Sequence, residues 1–201
     1  MSFVHSGNKM LCAGQSAKIR YFLNKTGALD KNKLPWKNAD MENVWISSDD
    51  AEHLLRLVSE ETEGHMEYSG GAKIVKRENK FWIRPIYSTV SKFHSTAPVQ
   101  YAQLIKSGAH LMWHTHPISP GYSQTLSEGD RQFSHHFPLM LTGIKQIGDV
   151  KKEWHGNRVA NTHFWNVAPV FQIGIDGKVV DVKVNLSKGS RKLLKAVAAR
   201  K

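Results

Sequence analysis

The chain has 201 residues, with 28 Lys and Arg against 17 Asp and Glu and a formal net charge of +11. That length accommodates one domain with a real core. The apolar residues are spread too evenly for global disorder, and no run approaches the ~18 uninterrupted apolar residues of a membrane span. Cys12 is the only cysteine, so intrachain disulfides and multi-thiolate zinc sites are excluded, and any metal must be held by carboxylates and by members of a set of eleven histidines.

Residues 1–43 read as a lead-in, because Gly7, Asn8, Asn24, Gly27, Asn32 and Pro35 interrupt every long periodic pattern apart from a short helix around 16–23. The first twenty residues lack the compact apolar stretch of a secretory signal. This fits a cytoplasmic protein, a domain excised from a longer chain, or one exported without a cleavable signal. Ser48, Asp49 and Asp50 open a helix expected over 48–59, with Leu54, Leu55, Leu57 and Val58 on its buried side.

Glu61-Thr62-Glu63-Gly64 leads into a strand ending at Gly70-Gly71, and strands over 73–77 and 80–87 flank Glu78-Asn79 as a hairpin. Thr96-Ala97-Pro98 starts a second helix that Gly108 ends, and 109–113 is the next strand, running into His114-Thr115-His116-Pro117. A third helix begins at Ser127 and stops before Pro138, followed by a strand over 139–144. Two further strands, 170–175 and 178–184, flank the turn dipeptide Asp176-Gly177, while 145–169 carries no readable pattern. The alternation of elements predicts an α/β (mixed α+β) domain over 44–187, with a central mixed sheet flanked by helices.

The chemistry concentrates at the end of the 109–113 strand. His114 and His116 are two apart, so both imidazoles face the same side of the strand and can approach one ion. Asp130 follows fourteen positions after His116 and is the only aspartate between Asp50 and Asp149. Two imidazoles and a carboxylate leave a fourth tetrahedral position for water, the arrangement a catalytic zinc needs. Ser127-Glu128-Gly129-Asp130 also has the form of a helix cap, with Ser127 at the N-cap and Asp130 in the first turn. The two roles are compatible.

An upstream Glu followed by His-x-His-Pro and Ser-x-x-Asp resembles the JAMM or MPN metalloproteases, also called JAB domains. The residues that carry the resemblance are Glu61, in Glu61-Thr62-Glu63-Gly64, His114 to Pro117, and Ser127 to Asp130, across about residues 48–144. The ten residues between His116 and Ser127 exceed the spacing of many family members, and an enlarged loop absorbs them at little entropic cost.

The resemblance implies a cytidine-deaminase-like architecture, a zinc ion on His114, His116 and Asp130, and Glu61 as the general base that activates water and protonates the leaving amine. It implies Ser127 as the donor to the developing oxyanion. Glu63 competes with Glu61 for the base. The implied activity is zinc-dependent hydrolysis of peptide or isopeptide bonds in a protein or peptide conjugate. The family's bacterial branches include RadC-like proteins and toxin-borne JAB-like domains.

The basic end, 188–201, holds six cations and no acid, and reads as a solvated tail able to contact polyanions. This charge supports an alternative, a nucleic-acid-binding or nucleic-acid-cleaving JAB-like domain. His135, His136 and His163 read as surface or rim residues, and Phe81, Trp82 and Trp113 as packing.

Overall fold

The computed structural model describes residues 43–60, 67–93, 104, 107–118, 124–135, 137–147, 150–155, 158–164 and 166–199. The lead-in, Glu61, Glu63 and most of the expected 96–108 helix lie outside these residues. The described part is a mixed α/β fold, as its sequence pattern implies.

Strand β1 (Val44–Ile46) runs into helix α1 (Ser48–Glu60). Ser47, one residue earlier than expected, caps that helix: its hydroxyl accepts the Asp50 amide at 3.1 Å and donates to the Asp50 carboxylate at 2.7 Å. Ala51, Leu54, Leu55 and Val58 then recur at helical spacing and are all buried. Strands β2 (Glu67–Arg77) and β3 (Lys80–Phe93) form the hairpin expected around Glu78-Asn79, with Glu78 at φ 55°.

Strand β4 (Leu111–Thr115), helix α2 (Glu128–Ser134) and strand β5 (Leu139–Gln146) follow. The stretch that carries no sequence pattern contains a separate two-stranded hairpin of β6 (Val150–His155) and β7 (Arg158–Phe164). Strands β8 (Val167–Ile175) and β9 (Lys178–Asp181) pair across Asp176-Gly177, where both turn residues take positive φ, 50° and 76°.

The expected 178–184 strand is two strands. Val182 breaks it, and β10 (Lys183–Val184) leaves β8 to pair in parallel with β1. The eight-stranded order is β10-β1-β3-β2-β4-β5-β8-β9. Its two ends, β9 and β10, are therefore one residue apart in the chain, which requires the sheet to curl round on itself. Val182 is buried at that closure and donates its amide to the Phe171 carbonyl at 2.8 Å.

Residues from 188 onward are not a separable tail. Lys188–Ala198 form helix α3, capped by Ser187, with Leu194 and Val197 buried in the main core. The correction has a simple cause: Leu193, Leu194 and Val197 make one apolar stripe at helical spacing among the cations. The apolar stripe packs the helix, and the lysines and arginines occupy its outer side.

Two apolar layers sandwich the sheet. On one face α1 and α3 cover Ile74, Ile83, Leu111, Trp113, Met140 and Ile173. On the other, Leu104, Leu126, Phe133 and Phe137 pack on Met112, Leu139 and Leu141. Trp113 and Phe81 are core residues, as expected, whereas Trp82 is only partly buried.

Candidate metal centre

Alternation along β4 decides which residues reach which layer. Leu111 and Trp113 enter the α1/α3 core, so Met112 and His114 point to the opposite face, toward α2. His114 pairs with Ser69 on β2 and Leu141 on β5, which fixes its position from both sides. Behind it, Trp113 fills the space left by Gly70: a Cβ there would lie 2.8 Å from the indole. The Trp113 Nε1–H donates to the Gly71 carbonyl at 3.1 Å, tying the floor of the site to β2.

Helix α2 supplies the third group. Ser127 is its N-cap in extended geometry, and the capping box is complete. The Ser127 hydroxyl accepts the Asp130 amide at 3.2 Å, while the Asp130 carboxylate accepts the Ser127 amide at 2.8 Å and the Ser127 hydroxyl at 2.7 Å. The carboxylate that closes the cap also faces the histidines. Asp130 Oδ1 lies 3.4 Å from His114 Nε2, and Oδ2 lies 3.5 Å from His116 Nε2.

The structure thus brings His114, His116 and Asp130 together, with one donor atom from each within 4.8 Å of the others. The edge of a tetrahedron with zinc–ligand bonds of ~2.05 Å is ~3.3 Å. Each imidazole lies near that distance from a different Asp130 oxygen, and the two Nε2 atoms are 3.0 Å apart, slightly inside it. Both imidazoles are buried, at 1% and 6% exposure, so their nitrogens are shielded from bulk water. Two imidazoles and a carboxylate so gathered could hold a divalent metal ion.

The electrostatics have the same sign. Burial alone would depress the His114 pKa, but the Asp130 charge and hydrogen bond, Glu67 and the Met140 backbone raise it above the ordinary histidine value. Burial alone would raise Asp130, but the adjacent His114 and His116 hold its carboxyl well below the usual carboxylate range. The neighbouring acidic groups thus favour positive charge on His114.

Glu61 and Glu63 fall outside the described residues. Within them, Glu67 at the start of β2 acts on His114 electrostatically. Continuing the Ser69–His114 register by two residues sets Glu67 opposite His116, on the metal face, and the Tyr68 amide bonds the Thr115 hydroxyl at 2.9 Å in agreement. Sequence reading missed this residue although Glu67-Tyr68-Ser69-Gly70 repeats the Glu-x-x-Gly pattern six positions later. Its place opposite His116 follows from strand pairing, which a sequence does not display. His135 is exposed, as expected of a surface residue.

No protein-family profile matches the chain, and no curated protein matches it. Among solved structures it is similar to the solution structure of protein DSY2949 from Desulfitobacterium hafniense, at 12% identity and a TM-score of 0.38, over 71% of this chain and 91% of that one.

Proposed function

We propose that the chain is a zinc-dependent hydrolase of the JAMM type, cleaving peptide or isopeptide bonds. The observation that carries this reading is the convergence of His114, His116 and Asp130, one donor atom from each within 4.8 Å of the others, with both imidazoles buried. Zinc held there supplies a Lewis acid that makes water nucleophilic near neutral pH.

In this reading Glu67, rather than Glu61, takes the proton from the attacking water and returns it to the leaving amine. Its place on β2 opposite His116 supports that role. Ser127 turns its hydroxyl from Asp130 toward the scissile carbonyl oxygen and donates to the charge that develops there. The capping box gives Ser127 a fixed starting position, because its amide remains bonded to Asp130. The JAMM resemblance in residue order supports the same chemistry.

The test is hydrolysis of a mixed peptide and isopeptide library by zinc-loaded protein, with Glu67→Gln and Glu61→Gln in parallel. Glu67→Gln should keep zinc and fold and lose ~10²–10⁴-fold in rate, as expected for removing a positioned general base. Glu61→Gln should be mild. The reverse result would move the base to Glu61, and no hydrolysis by zinc-loaded wild type would overturn the proposal.

A further inference from the structure

The same sheet face that carries the metal centre continues across β2, β3, β1 and β10. Ile74, Ile83, Val44 and Ile46 point into the α1/α3 core, so their neighbours in sequence point outward. The register sets Lys183, Trp45, Trp82 and Val75 in one row across the four strands. Arg77 and Lys80 pair in the row on one side of it, and Lys73 and Arg84 in the row on the other.

Five cations thus surround two tryptophans; among the described residues the nearest carboxylates are Asp181, two residues before Lys183, and Glu78 in the turn. The Trp45 and Trp82 rings are 6.0 Å apart and tilted by 35°, and both side chains are only partly buried. The Lys80 and Lys183 ammonium groups lie 4.8 and 5.8 Å from the Trp45 ring, held by cation–π attraction on the outer surface. A strand pair designed only for solubility gains nothing from two indoles among its cations, since exposed tryptophan costs solvation.

We propose that this face is a binding platform for single-stranded nucleic acid. Phosphates match the five cations, and bases stack on indole faces whatever their sequence. The sheet face presents no helix or ribbon to a duplex groove, whereas splayed bases of a single strand reach aromatic rings on a sheet directly. An acidic polypeptide would satisfy the charge but leave the indoles without a stacking partner. The platform lies about 20 Å along β2 from Ser69 and the metal centre. It stands independently of any reaction there.

Fluorescence anisotropy of a labelled single strand of roughly 12 nucleotides tests this with the full-length protein. Binding should exceed that of the duplex and of polyglutamate. Trp82→Ala should weaken it roughly 5- to 140-fold, while Trp82→Phe, which keeps an aromatic face, should restore most of it. The double variant Lys73→Ser/Arg84→Ser, at exposed positions that bear no part of the core, should reduce the slope of log affinity against log salt by about 1.4. Thermal melts of each variant establish that it is folded, and the serine variant decides the matter should Trp82→Ala fail to fold. Equal binding of polyglutamate, unchanged affinity in folded Trp82→Ala, or an unchanged salt slope would overturn the proposal.

Discussion

Gly70→Ala isolates the contact that seats the metal-bearing strand. The added methyl would lie 2.8, 2.9 and 3.0 Å from three atoms of the Trp113 indole, against an optimum of ~3.5–4.0 Å. Trp113 has no exposed surface and is anchored by its 3.1 Å bond to the Gly71 carbonyl, so it cannot yield freely. Overpacking of this kind costs ~1–3 kcal/mol, and loss of the indole bond ~0.5–1.5 kcal/mol more. Against these stands a gain of ~0.4–1 kcal/mol from the stiffer unfolded chain. The balance is a destabilisation of about 2–3 kcal/mol, or ~4–12 °C in Tm for a chain of this size. Urea and thermal denaturation measure it, and a Trp113→Leu background, which opens space, should reduce the cost. A neutral Gly70→Ala, or the same cost in both backgrounds, would refute the proposed fit between β2 and β4.

Three further outcomes follow from the fold. Removing residues 188–201 should unfold the protein, because Leu194 and Val197 leave the main core; Leu194→Ala alone should cost ~2–5 kcal/mol in urea denaturation. Ser127→Ala should lower stability by ~0.5–2 kcal/mol through the lost cap, measured by thermal melting, and retain zinc. His110 accepts the Ile74 amide on Nδ1 at 3.0 Å, and burial, with Lys73, lowers its pKa. Its contribution is therefore complete above the unfolded value of ~6.5 and is lost as pH falls through the lower folded value. The Tm of wild type should decline across that window, and His110→Gln should flatten the decline.

What the sequence disclosed was governed by local rules. The α1 stripe, the Asp176-Gly177 turn and the His-x-His spacing depend on residues a few positions apart, and each appears where its pattern implies. The features that escaped depend on pairing between distant strands. Val182 divides a continuous β pattern because its two halves meet different ends of a curled sheet. Glu67 stands two residues before the partner of His114, a relation between β2 and β4. The α3 helix was hidden by composition: six cations drew attention from its apolar stripe.

The central claim is the metal centre, and zinc content after equilibration with zinc and extensive dialysis tests it most directly. Wild type should retain about one ion per chain, as a three-ligand site does, while His116→Ala and Asp130→Asn, each confirmed as folded by circular dichroism, should retain almost none. Absence of zinc from wild type, or full occupancy in either variant, would contradict the account.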